Sequence, residues 1–97
     1  MILQPHETDL VGRWERKQGR TVEDATASRI KSLVKNTLVK LGSDSTGWDV
    51  LYRDPNDGRL WELTYPQSAS HGGGPPRLSL LETQSARTKY GDVVEAS

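Results

Sequence analysis

The spacing of hydrophobic residues predicts one helix among several short strands. Apolar positions recur at the spacing of one helix face, so we predict a helix at about residues 23–36, with the stripe Ala27, Ile30, Leu33, Val34 and Thr37. Thr21 or Asp24 can cap its start, because either side chain can accept a hydrogen bond from the first turn. Five segments alternate as strands do, namely residues 10–17, 37–41, 48–53, 59–65 and 77–82.

This order of elements predicts an α+β fold. One helix would be packed on a mostly antiparallel sheet of about five strands, in the order β-α-β-β-β-β. We expect Trp14 to point inward from the first strand and Trp48 to share a strand face with Tyr52. Aromatic residues on the third and fourth strands predict a cross-strand ladder of Trp and Tyr.

The chain length predicts a single domain over residues 1–97, with residues 1–8 and 90–97 as its least ordered parts. The tail has a weak pattern that leaves two alternatives open. Residues 93–94 could form a short strand, or residues 86–90 a short helix. An unpaired strand edge would allow self-association, so the expected state is a monomer or a weak homodimer.

Composition excludes several classes of function. Cysteine is absent, which removes disulfides, thiolate metal sites and a cysteine nucleophile, and fits a reducing compartment. The net charge is zero, which argues against nucleic-acid binding. No apolar run is long enough for a membrane span, and no signal peptide is visible, so we expect a cytoplasmic protein.

The charges are nevertheless unevenly distributed. Residues 1–40 hold eight Lys/Arg against five Asp/Glu, whereas residues 41–97 hold five against eight. The densest acidic stretch, residues 44–62, is either an ordinary solvated face or a patch that steers a basic partner.

The run His71-Gly72-Gly73-Gly74 resembles the oxyanion loop of esterases, whose backbone amides stabilise a tetrahedral anion. The chain lacks the Gly-x-Ser-x-Gly nucleophile turn that such a loop serves. Its two histidines, separated by 65 positions, form no metal-ligand motif. We therefore expect neither catalysis nor a cofactor, although the three glycines could present amides to an anion.

Three stretches resemble the immunity protein 27 family of bacterial polymorphic toxin systems. They are residues 10–14, residues 47–59, and the block Trp61-Glu62-Leu63-Thr64-Tyr65-Pro66-Gln67-Ser68 followed by His71-Gly72-Gly73-Gly74-Pro75-Pro76. The resemblance covers about residues 10–82. It implies a small cytoplasmic α+β protein that binds and neutralises a toxin domain, without enzyme activity or cofactor. Nuclease inhibitors are often strongly acidic, so either this toxin is not a nuclease or inhibition uses residues 44–62.

Inhibition would be steric, with the loops at residues 54–58 and 67–76 covering the toxin. We infer Tyr65, Arg59 and His71 as anchors, since Tyr and Arg are favoured at interfaces. The candidate partner-binding residues are Asp49, Asp54, Asp57, Arg59, Tyr65, Gln67, His71, Gly72, Gly73 and Gly74. Alternatively, Tyr65 is a core residue and the glycine loop only braces the sheet. A rival function is a small anion- or peptide-binding regulatory domain that uses the Gly72–Gly74 loop.

Overall fold

The computed structural model describes residues 2–66 and 74–95. Seven strands and two helices make up this part of the chain. They are β1 (Asp9–Val11), β2 (Trp14–Lys17), β3 (Arg20–Glu23), α1 (Ala25–Asn36), β4 (Val39–Ser43), β5 (Val50–Arg53), β6 (Leu60–Thr64), β7 (Arg77–Leu80) and α2 (Thr83–Tyr90), followed by a 3₁₀ helix at Gly91–Glu95.

The main sheet has five antiparallel strands in the order β1-β7-β6-β5-β4. Strands β2 and β3 form a separate two-stranded ribbon. The predicted α+β class and the mostly antiparallel sheet are confirmed, with a second helix added. Neither helix in the described ranges is long and apolar enough to cross a membrane.

Helix α1 covers one face of the sheet, and its start and its buried face follow the sequence pattern. Of the two predicted caps, Asp24 is used: its carboxylate accepts a hydrogen bond from Ala27 N at 2.7 Å. Ile30 and Leu33 are fully buried in a core that includes the sheet residues Tyr52, Trp61, Leu63 and Leu78. Tyr52 is paired with Trp61 across β5 and β6, so the expected aromatic pair lies on the face covered by α1.

The other face of the sheet is partly covered by the end of the chain. Ala86 and Tyr90 of α2, with Val94 of the 3₁₀ helix, form a second core against Leu51 and Leu60. The helix alternative for the tail is therefore correct, although the helix already begins at Thr83. The strand alternative at residues 93–94 is wrong, because this stretch is helical.

The predicted first strand, residues 10–17, is divided in two. It pairs with β7 as far as Val11, breaks at Gly12 and continues as β2 of the ribbon. Because β2 leaves the sheet, Trp14 does not point into the core and remains 41% exposed. The inward placement of Trp14 was wrong for this reason.

Candidate protein-binding surface

Four described segments meet at one end of the sheet, which we call the glycine-loop end. They are residues 11–14, 44–49, 65–66 and 74–76. The strand register explains this, since Val50 is paired with Leu63 while Thr64 and Val11 both lie opposite Arg77. Three strand spacings separate β1 from β5, so these segments span roughly 14 Å of sheet.

The last part of the glycine-rich block is built into the fold. Gly74, Pro75 and Pro76 are buried. The Pro76 carbonyl accepts a hydrogen bond from Gly12 N at 2.8 Å. A Cβ at Gly12 would stand 2.6 Å from that carbonyl oxygen and 3.0 Å from the Ala27 Cβ. This close approach requires glycine, so residues 74–76 brace the place where the first strand breaks.

Large apolar side chains reach solvent at the same end. Trp48 is 62% exposed, more than Trp14 or Val11, each of which is about two-fifths exposed. A cleft of about 270 Å³ lies beside Trp14 and is lined by Val11, Gly12, Arg13 and Pro75. Exposed tryptophans are typical of protein-binding surfaces, where aromatic residues are enriched.

Trp48 is held out by a structured loop and is not part of β5, so its predicted place on a strand face was wrong. The carboxylate of Asp44 accepts hydrogen bonds from Thr46 Oγ1 at 2.7 Å and from Gly47 N at 3.0 Å. The hydrogen bond from Thr46 is the main reason that the pKa of Asp44 is lowered. Gly47 has φ 80°, a conformation that favours glycine. These contacts fix the backbone that presents the Trp48 ring.

Behind this loop, a charged cluster fastens α2 to the sheet. Lys89 bonds both Asp49 and Glu62 at 2.6 Å, and Tyr90 Oη donates to Glu62 at 2.7 Å. Burial alone would lower the pKa of Lys89, but the bonds to the two carboxylates outweigh it and the pKa is raised. Burial, and then the bond to Glu62, raise the pKa of Tyr90. Asp49 is thus an internal ion-pair partner at the edge of the candidate surface.

The turn at residues 54–58 lies at the opposite end of the sheet, because Arg53 is paired with Leu60. Asp54 is fully buried, and its carboxylate accepts a hydrogen bond from Asn56 N at 2.9 Å. Asp57 bonds Arg59 at 2.6 Å. The backbone hydrogen bond from Arg59, together with its guanidinium, lowers the pKa of Asp57.

Arg59 holds the N-terminal segment in place. Its guanidinium donates to the carbonyl oxygens of Gln4 at 3.0 Å and Glu7 at 2.8 Å. The same group lies 5.0 Å from the centre of the Trp61 ring, within the range of a cation–π contact. Arg59 therefore has a structural role that its sequence position did not reveal.

The acidic stretch at residues 44–62 does not form one patch. Asp44 and Asp49 lie at the glycine-loop end, and Asp54 and Asp57 lie at the other end. Glu62 is nearly buried between them. The fold therefore does not support the interpretation of this stretch as a single patch that steers a basic partner.

The remaining predicted site residues divide into two groups. Tyr65 is partly buried against the core beneath α1, and Gly74 is buried with φ 72°. Gln67, His71, Gly72 and Gly73 lie outside the described residues, as do most of the amides that an anion site would use. Within the described ranges, no cluster of three or more His, Asp or Glu side chains could hold a metal ion.

Sequence reasoning missed Trp14 and Trp48 as surface residues. A strand pattern alone cannot show that a tryptophan lies beyond the end of its strand. The signal that was present is the turn sequence Asp44-Ser45-Thr46-Gly47, whose side-chain hydrogen bonds displace Trp48 from the strand.

The family model described as Immunity protein 27 matches residues 16–82 of this chain. The match includes most of the ribbon, α1, the strands β4 to β7 and the glycine-rich block. No curated protein and no solved structure matches the chain.

Proposed function

This chain belongs to the immunity protein 27 family, and we propose that it binds a cognate toxin domain in the cytoplasm and blocks it sterically. The family match over residues 16–82 carries this proposal. Members of such a family act against a toxin by definition, whereas the mode of action and the compartment are our inference. The absence of cysteine fits a reducing compartment.

The glycine-loop end is the surface that we propose to face the toxin. Trp48 stands on a loop whose backbone is already fixed, so little conformational entropy is lost when a partner covers the ring. Tryptophans of this kind are frequent hot spots of binding energy. A standard interface takes about 800 Å² from each partner, which is a small part of the 6186 Å² exposed by this protein.

The predicted contact residues keep different places in this proposal. Tyr65, Asp49 and Gly74 belong to, or adjoin, the glycine-loop end, whereas Gln67, His71, Gly72 and Gly73 lie outside the described residues and stay proposed contacts on the sequence alone. The turn at residues 54–58 is a second candidate contact, through Asp57 and Arg59 at its surface. Asp54 would act indirectly there, by holding the turn in shape from its buried position.

The test is co-expression with the polypeptide encoded immediately upstream. We expect that polypeptide alone to arrest growth, this protein to restore it, and the two to co-purify. Trp48→Ala should weaken binding by about thirtyfold, as expected for a hot-spot residue. Val39→Ala is the matched control, because Val39 is also exposed but lies on the edge strand β4. Equal killing with and without this protein, and no co-purification, would refute the proposal.

A further inference from the structure

The ribbon formed by β2 and β3 makes little contribution to the hydrophobic core. None of its eight strand residues is buried or belongs to either core cluster of the described chain. Its strands are joined by Gln18 and Gly19, with φ 53° and 77°, as in a tight turn that matches the twist of a hairpin. At its base, Asp24 N donates to the Arg13 carbonyl at 3.0 Å. The ribbon therefore projects its side chains into solvent.

The charges of the ribbon are not balanced within the protein. It carries Arg16, Lys17 and Arg20, and no described residue forms an ion pair with any of them. Many charged side chains elsewhere are paired, including Arg29 with Glu7, Arg77 with Asp9 and Lys89 with Asp49. Of the two acids on the ribbon, Glu23 is bonded to Lys31 of α1, which leaves Glu15 against three cations.

Two of these cations are in an unfavourable arrangement. Lys17 and Arg20 lie directly opposite each other where the ribbon turns. Like charges at directly opposed positions destabilise a strand pair. Nothing in the described part of the chain compensates this repulsion, so an acidic partner would gain by approaching the tip of the ribbon.

We propose that the β2–β3 ribbon is the element that docks against an acidic surface of the toxin domain. Its cations would draw the partner in, and Trp14, which is 41% exposed beside the cleft of about 270 Å³, would contact the partner at the ribbon base. This inference rests on the proposed function and specifies its partner surface. The groove of a nuclease is basic because it binds phosphates, so the ribbon would dock outside such a groove.

Nucleic acid is the other acidic macromolecule that a basic ribbon could meet. The protein as a whole has a net charge of zero, which favours a protein partner. Nucleic-acid binding is accordingly one of the outcomes that the experiment must detect.

The test uses the full chain and the polypeptide encoded immediately upstream, with association rates measured at low and high salt. The variant Lys17→Glu with Arg20→Glu reverses the charge at the tip while leaving like charges opposed, so the local strand repulsion is unchanged. The matched control is Lys35→Glu with Lys40→Glu, two exposed cations outside the ribbon, which changes the net charge equally. Circular dichroism and thermal melting establish that both variants are folded.

We expect the ribbon variant to associate about tenfold more slowly at low salt, with the difference shrinking at high salt, and the control to associate at nearly the original rate. A second variant should change stability and association rate in opposite directions. Lys17→Glu alone places a carboxylate opposite Arg20, so it should raise the melting temperature and still slow association. A merely structural role of the ribbon would not produce that combination.

Four results would overturn the inference. If the unaltered protein binds the toxin and the ribbon variant binds equally fast, the ribbon is not the docking element, although the proposed function survives. Equal slowing of the ribbon and control variants would show a net-charge effect only. Binding of a labelled DNA or RNA duplex that is lost in the ribbon variant would identify nucleic acid as the acidic partner. If the unaltered protein binds no toxin, the proposed function and this inference fail together.

Discussion

Gly12→Ala should destabilise this protein more than the strand propensities of Gly and Ala alone would suggest. The added Cβ would lie 2.6 Å from the Pro76 carbonyl oxygen and 3.2 Å from the Cα of Ala27. Both neighbours are backbone atoms, held by the entry to β7 and by α1, so neither can turn away as the end of a side chain can. Overpacking of this kind costs about 1–3 kcal/mol.

The same substitution threatens the hydrogen bond from Gly12 N to Pro76 O, with a net contribution of about 0.5–1.5 kcal/mol. The total loss is therefore about 2–4 kcal/mol, a large part of the stability of a domain of this size. With an m-value of about 1.5 kcal/mol/M, the urea midpoint should fall by about 2 M.

Gly42→Ala is the matched control, because the atoms nearest to its Cβ would belong to the side chain of Val93, at 3.2 Å. That side chain lies near the end of the chain and can shift, so we expect a loss of less than about 1 kcal/mol. Urea unfolding followed by tryptophan fluorescence measures both variants. The argument that residues 74–76 brace the strand break would be refuted by either of two results. One is a urea midpoint of Gly12→Ala within error of the unaltered protein, and the other is a smaller loss of stability than in Gly42→Ala.

Two further predictions concern polar contacts. Tyr90→Phe keeps the ring in the second core but removes the hydrogen bond to the nearly buried Glu62, and should cost about 1.5–3 kcal/mol in urea unfolding; a loss under about 0.5 kcal/mol would contradict it. The bonds from Arg29 lower the pKa of Glu7 from its usual 4.5 to about 2. The contact therefore stabilises the fold fully at pH values above the pKa of Glu7 in the unfolded chain, and this stabilisation is lost as the pH falls towards about 2. Glu7→Gln should therefore be less stable than the unaltered protein at neutral pH, with the gap closing in acid; a gap independent of pH would contradict this assignment.

Local signals predicted the parts of the fold that local chemistry decides. The Asp24 cap and the spacing of Ile30 and Leu33 were enough to place α1 and its buried face, because both act within one or two turns of helix. The aromatic residues of β5 and β6 were enough to predict a cross-strand ladder of Trp and Tyr, in which the structure pairs Tyr52 with Trp61. These elements need no information from distant parts of the chain.

The break at Gly12 could not be predicted in this way. The residues 10–17 alternate without interruption, and Gly12, where β1 ends, is packed against Pro76, 64 positions later in the sequence. The exposure of Trp14 was missed for the same reason. Trp14 is exposed only because the strand leaves the sheet at this contact, and no pattern within the strand records it.

This long-range contact also connects the fold to the proposed binding element. The ribbon has almost no core contacts of its own, so its direction depends on the Gly12–Pro76 contact, on the backbone bond from Asp24 to Arg13 at its base and on the ion pair of Glu23 with Lys31 of α1. The described part of the glycine-rich block would then serve binding by fixing the place where the ribbon leaves the sheet. On sequence alone, bracing the sheet and binding the partner were alternative roles for the block. In this arrangement the block braces the strand break, and the ribbon that this positions binds the partner.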